Sequence, residues 1–313
     1  MSLIRSALFK ASQSAWLRGR APRLGFVRRT AGKFLPGEDA EAALAAAGAL
    51  AQNGITTLLT HLGENVDDRA EAEAVTSQYV DLIERARAAR LPAEISVKLT
   101  QLGLDLDSEF CFANLVRLIE RSHSSESFAE RTLWIDIEQS PYIDITLELY
   151  HRARDAYQNV GVCVQAYLYR TEKDIESLVA MGAAVRLVKG AYNEPAEIAY
   201  PKKFDVDESY FRLSQMLLSA EARRAGVRAV MATHDRKLIG RIIEWAAARQ
   251  IAKDQLEFAM LYGIQRAEQL RLAREGYRSC VLVSYGSYWF PWFMRRLAER
   301  PANVFFLARN LFS

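Results

Sequence analysis

Val185-Arg186-Leu187-Val188-Lys189-Gly190-Ala191-Tyr192, running on into Asn193-Glu194-Pro195, is the stretch on which the reading of this chain turns. Ala183 to Val188 is a short, β-branched apolar run bounded by Gly182 and Gly190, the pattern of a buried strand. Arg186 stands in its middle. An unpaired guanidinium buried there costs several kcal/mol, so the run must deliver Arg186 to a carboxylate, a carbonyl-rich ligand or an anion. Gly190 then permits a close approach of the backbone, with Lys189 and Tyr192 flanking it. On this stretch alone a structural ion pair accounts for Arg186 as well as a ligand does.

Working outward, the run is one of eight: Ile55 to Leu59, Ile95 to Leu99, Leu133 to Ile137, Val160 to Ala166, Val185 to Val188, Val227 to Ala232, Leu256 to Met260 and Cys280 to Val283. Helical sequence separates them, with apolar residues at helical spacing such as Ile239, Ile242, Ile243 and Ala246. Strands alternating with helices imply βαβ units. Eight such units in about 250 residues predict a (β/α)8 barrel, of the TIM type. A doubly wound sheet is the fallback, but its Gly-x-Gly-x-x-Gly fingerprint is absent from the sequence.

Alternate residues of a barrel strand face the interior, so faces are read by twos. In the second run Lys98 opposes Ile95, Val97 and Leu99. Asp136 and Glu138 oppose Ile135 and Ile137 in the third. Cys163, Gln165 and Tyr167 oppose Val162, Val164 and Ala166 in the fourth, and Arg186 opposes Val185 and Leu187 in the fifth. Four successive strands thus turn a polar residue inward near the C-terminal end, where barrel active sites lie. His234, in Ala232-Thr233-His234-Asp235, comes at the same end of the sixth. After the eighth, Tyr285 to Pro301 sets Arg295 and Arg296 beside large aromatics. Glu299 is one helical turn from Arg295 and able to pair with it, a combination suited to a planar carboxylate next to an apolar body.

The 313 residues carry a net charge of +3, half of them hydrophobic. That suits a globular chain and is too mildly basic to argue for nucleic acid as a partner. Cys111, Cys163 and Cys280 are odd in number and lie in apolar runs, so they read as reduced core residues of a cytoplasmic protein. No apolar run reaches the roughly 18 residues of a membrane span, and no metal site is expected. Residues 1–52 are expected to form an N-terminal helical arm or cap, and residues 53–313 the barrel. The arm is basic at Arg5, Lys10, Arg18, Arg20, Arg23, Arg28, Arg29 and Lys33, with no acid before Glu38. It reads as a helical cap, a transit-type segment or an amphipathic segment lying on a surface.

Ser96-Val97-Lys98-Leu99-Thr100, Val185 to Tyr192, Ala232-Thr233-His234, Glu257 to Gly263 and Arg295 to Pro301 together resemble the proline dehydrogenase family, in its short monofunctional bacterial form. The resemblance runs from about residue 55 to the C-terminus. It implies a (β/α)8 barrel that binds FAD non-covalently, oxidises L-proline to 1-pyrroline-5-carboxylate and passes electrons to a membrane quinone. It also implies a cytoplasmic protein with peripheral contact at the inner face of the membrane. Carried over by position, Lys98, Arg295 and Arg296 resemble the cations that grip the substrate carboxylate, with Glu299 holding Arg295 and Asp136 among them. Arg186 resembles the residue beside the flavin N5. Gln165, Lys189, Gly190, Ala191, Tyr192, Thr233, His234 and Glu299 resemble other flavin-contacting positions, and Leu261 and Tyr192 pocket walls.

Three positions depart from the family pattern: Leu282 and Trp292 each stand where a tyrosine is usual, and Ala259 where a glutamine is usual. Alternation in the eighth strand puts Leu282 on a face with Cys280 and Ser284, so it is expected to point into the pocket. The first two departures open the choice of ring substrate to hydroxylated, ring-expanded or N-methylated analogues of proline. Two other classes compete with the dehydrogenase reading. One is a Schiff-base aldolase with Lys98 or Lys189 as nucleophile. The other is a barrel that has kept its scaffold and lost its chemistry.

Overall fold

A computed structural model describes residues 25–123 and 131–299; the side chains of Phe26, Arg28 and residues 295–299 lie outside that description. Eight strands form a closed parallel barrel in sequence order: β1 Thr56–His61, β2 Ala93–Val97, β3 Leu133–Ile135, β4 Val160–Gln165, β5 Ala184–Val188, β6 Arg228–Ala232, β7 Glu257–Leu261 and β8 Arg278–Tyr285. β8 closes onto β1 with Leu58 opposite Leu282 and Thr60 opposite Ser284. Each expected strand is present. β2 and β3 end earlier than their apolar runs, at Val97 and Ile135, because the chain turns where polar residues begin; Leu99–Gln101 is a 3-10 turn.

The inward and outward faces divide as alternation requires. Leu58, Trp134, Ala184, Val230, Ala259 and Cys280 meet inside the barrel. Ile95, Val97, Ile135, Val162, Val185 and Leu187 face the helices instead, in the larger core cluster. All three cysteines are buried and free. Aspartates at Asp68, Asp107 and Asp235 start the helices Arg69–Ala88, Ser108–Ser122 and Arg236–Ala247, each carboxylate accepting a backbone N–H of the first turn.

The N-terminal end of the barrel is closed by charge. Arg228 lies between Glu94 and Glu257, donating to Glu94 Oε1 at 2.6 Å and to Glu257 Oε1 at 2.7 Å. Trp134 Nε1 also donates to Glu94 Oε2, at 2.8 Å. Every oxygen of the two carboxylates that meets Arg228 is thus engaged, the condition under which a buried ion group is tolerated.

Among the described residues, two helices precede β1. Ala40–Ala51 lies outside β1 and β8, with Ala43, Ala46 and Ala47 buried, and these small side chains allow a close approach. Gly25–Ala31 and the chain after it meet the last helix, Trp289–Glu299, at the other end of the barrel. There Val27, Ala31 and Leu35 share a cluster with Leu62, Leu261, Trp289, Phe290, Trp292 and Phe293. Trp289 Nε1 donates to Glu38 at 3.0 Å, which ties the segment before Ala40–Ala51 to the helix after β8. Gly263 is at φ +75°, and a Cβ there would come within 1.7 Å of the Lys33 carbonyl oxygen. Among the described residues no helix is long and apolar enough to cross a membrane. The basic residues Arg5, Lys10, Arg18, Arg20 and Arg23 and the side chain of Arg28 lie outside the described residues, while Arg29 and Lys33 are exposed.

Candidate active site

A cavity of about 770 Å³ opens at the C-terminal mouth, within the size range of small-molecule and cofactor sites. Its lining comes from every strand or the turn after it. Of the residues expected in a site, Lys98, Asp136, Gln165, Arg186, Lys189, Gly190, Ala191, Tyr192, Thr233, His234, Leu261, Leu282 and Trp292 all line it, as does Ala259. Arg295, Arg296 and Glu299 fall in the last helix by backbone, but their side chains lie outside the described residues, as does the expected Arg295–Glu299 pair.

Arg186 meets the demand that its burial makes. It is 3% exposed, and its Nη2 donates to Asp136 Oδ1 and, at 2.9 Å, to Ser96 Oγ. Ser96 Oγ donates in turn to Asp136 Oδ1 at 2.9 Å. Burial works against the charged guanidinium, and the neighbouring Asp136 outweighs it, so Arg186 stays a cation. Its Nε has no hydrogen-bond partner, nor does Gln165 Oε1 beside it on β4. Two buried polar atoms without partners, both on residues that line the cavity, are what a site for a hydrogen-bonding ligand presents.

Lys189, a flavin-contacting position by resemblance, is held between carboxylates. It donates to Asp207 Oδ1 at 2.5 Å and to Asp235 Oδ2 at 3.1 Å, and Lys203 joins the same two carboxylates. Asp235 feels burial pushing its carboxyl up, but the bonds from Lys189 and Lys203 prevail and hold it down at about 2. Gly190, at φ +117°, brings its backbone against the Tyr167 ring, where a Cβ would lie 2.3 Å away. His234 Nε2 accepts the Leu261 backbone N–H at 2.9 Å, an arrangement that leaves the ring proton on Nδ1. Lys98 donates to the Gly63 carbonyl at 3.1 Å and pairs with Glu64 at 3.4 Å. A Schiff-base nucleophile needs a free amine, and both lysines sit against carboxylates.

Several residues of the site carried no expected role. Ser96 was legible as the inward neighbour of Lys98 two positions on. Glu64 and Lys203 lie outside the strands, where alternation says nothing. Glu138 is 4% exposed and accepts from Thr100 Oγ1 at 2.7 Å and Thr100 N at 3.2 Å, while its own carbonyl accepts from Gln165 Nε2 at 2.7 Å. Burial pushes its carboxyl up to about 7, against the pull of Lys98 and Thr100. Thr60 and Ser284 also line the cavity.

The lining is cationic on balance, with Lys98, Arg186, Lys189, Lys203, Arg236 and Lys237 against Glu64, Asp136 and Asp235. The flank built by β4, β5 and β6 carries Gln165, Arg186, Lys189 and His234. The rest of the rim carries Lys98 after β2 and, from β7, β8 and the helix after it, the apolar cluster of Leu261, Leu282 and Trp292. The first suits a large polar anion and the second a small molecule that is part carboxylate and part hydrocarbon.

Comparison with known proteins agrees. The family model described as proline dehydrogenase matches residues 43–309. Proline dehydrogenase 2 of Bacillus subtilis subsp. natto is 35% identical over 311 residues, 99% of each chain. The proline dehydrogenase of Deinococcus radiodurans is 37% identical over 284 residues, 89% of each. Among solved structures, proline utilization A of Bdellovibrio bacteriovorus aligns with TM-score 0.79 at 24% identity, covering 87% of this chain and 32% of that one. The protein of the same name from Corynebacterium freiburgense aligns with TM-score 0.73 at 21% identity, covering 97% and 33%. The chain thus spans about a third of those solved chains, and at such identity they speak to the fold alone.

Proposed function

The chain belongs to the proline dehydrogenase family, and on that premise we propose that it oxidises L-proline to 1-pyrroline-5-carboxylate using non-covalently bound FAD. The observation that carries this reading is the two-sided cavity: a polar, cationic flank from β4 to β6, and a remainder that combines Lys98 with the apolar walls of Leu261, Leu282 and Trp292. Bound FAD would supply the acceptor for the hydride, with its two electrons, that leaves the ring methylene next to nitrogen as the C–N bond becomes C=N and the nitrogen gives up a proton.

The residues of the chain do the rest. Arg186, Lys189 and the turn through Gly190 and Ala191 would hold the cofactor with Gln165, Tyr192, Thr233 and His234. The unpartnered Gln165 Oε1 and Arg186 Nε support that fit. A cation kept charged by Asp136 and sunk in a low-dielectric site stabilises negative charge that develops beside it. Lys98, Arg295 and Arg296 would grip the substrate carboxylate, Glu299 orienting Arg295. Leu261, Leu282 and Trp292 exclude water around the ring. Asp136, already bonded to Ser96 and Arg186, keeps this cationic end from being overcharged.

Electrons then pass to a membrane quinone, with the basic N-terminal arm meeting an anionic lipid surface in peripheral contact at the inner face of the cytoplasmic membrane. The purified protein is expected to be yellow, to release intact FAD on denaturation, and to reduce a soluble dye only when L-proline is present. Colourless protein that takes up no added FAD, or a flavin that stays with the denatured chain, would overturn the cofactor assignment.

A further inference from the structure

Ser284 lies near the mouth end of β8, on the same inward face as Leu282 two residues earlier. It is 1% exposed and lines the cavity, yet its Oγ has no hydrogen-bond partner. Its register partner on β1 is Thr60. That side chain is 5% exposed and lines the same cavity, and its Oγ1 has no partner besides the Tyr79 phenol that it leans on. Two buried hydroxyls on adjacent strands, whose backbones run about 4.8 Å apart, thus face one space with bonding capacity to spare. Polar groups are rarely left so unless something enters to meet them.

The position of this pair says what enters. β8, β1 and β2 are consecutive around the barrel, so Thr60 stands between Ser284 on β8, which is one inward step nearer the mouth than Leu282, and the strand that leads into Lys98. They are on the flank away from Gln165, Arg186 and His234. A cyclic amino acid held by Lys98 shares this side of the cavity with them. The methylene edge of an unsubstituted ring offers those hydroxyls nothing, and one bearing a hydroxyl offers both a donor and an acceptor. Leu282 is shorter than the phenol usual at its position and leaves room beside the pair.

We propose that Thr60 and Ser284 form a specificity-determining subsite that binds a hydroxyl carried on the ring of the cyclic amino-acid substrate. This rests on the dehydrogenase reading above. A site built to hydrogen-bond a substrate hydroxyl discriminates against the ring that lacks it, because the partners of the missing group are then left buried and unpaired.

The test is kcat/KM of the FAD-loaded enzyme for L-proline and for cis- and trans-4-hydroxy-L-proline, in the natural protein and in Ser284→Ala, Thr60→Val, the double variant and Ser284→Thr. The ratio of the better hydroxylated substrate to proline is expected to fall about three- to tenfold in each single loss of a hydroxyl, the range of one neutral hydrogen bond. It should fall further in the double variant and hold within about twofold in Ser284→Thr, which keeps the hydroxyl. Calorimetric binding of the same ligands, which needs no turnover, should move in parallel. A ratio unchanged in the double variant, with proline still turned over, overturns the subsite and leaves the dehydrogenase reading standing. If none of these amino acids is oxidised or bound, both fall together.

Discussion

Glu138 illustrates how much one carboxylate records about its surroundings. It is buried beneath the mouth, bonded twice by Thr100, with its carboxyl pushed up to about 7. In an unfolded chain it would titrate near 4.3. Between those values the folded protein holds a proton that the unfolded chain has shed, so stability falls as pH rises through the window and levels off above about 7. Glu138→Gln keeps the shape and removes the titration. The variant is expected to match the natural protein near pH 4 and to be more stable by roughly 3 kcal/mol near pH 8, read from urea midpoints. Parallel pH profiles for the two proteins would show that Glu138 is ionised in the fold without cost. Arg186 is the complementary case. Its charge in an apolar run made a carboxylate or a ligand necessary from sequence alone, and Asp136 supplies it. Which carboxylate was not derivable from spacing, because the partners lie 50 residues apart. Arg228 between Glu94 and Glu257 was missed for the same reason: neither partner shares its strand.

Elements were easier to read than pairs of residues. Each strand has enough β-branched and apolar residues between turn signals to declare itself, and alternation within it decides which side chains turn inward. That is why Lys98, Asp136, Gln165 and Arg186 could be gathered at one mouth before any coordinates. The packing of residues 25–38 on the helix after β8 was not legible, since periodicity within a helix does not say which neighbour its apolar face will meet. The segment after Gly25–Ala31 is locked where Gly263 and the Lys33 carbonyl touch, with Trp289 bonded to Glu38 nearby. Gly263→Ala combines a left-handed backbone with a clash against main chain, so it is expected to destabilise by about 1–2 kcal/mol. It should also speed hydrogen exchange across residues 25–38 more than across the strands. Uniform exchange in the variant would mean that the contact carries no special share of that segment's order.

The whole molecule is polarised along the barrel axis. Its N-terminal end is sealed by Arg228, Glu94 and Glu257, every group matched. Its C-terminal end is open, with hydroxyl, amide and guanidinium atoms left unmatched at Ser284, Gln165 and Arg186. Matching at one end and unspent bonding capacity at the other is how a fold separates stability from chemistry. The central claim is that both flanks of the open end serve one oxidation, electrons passing from a cyclic amino acid on the Lys98 side to a flavin on the Arg186 side. Anaerobic titration of the flavin-loaded protein with L-proline tests it most directly, following the oxidised flavin absorbance band. The account predicts that the band bleaches with proline and is untouched by an acyclic amino acid such as L-alanine. A flavin that stays oxidised with proline and with each hydroxylated analogue would contradict it.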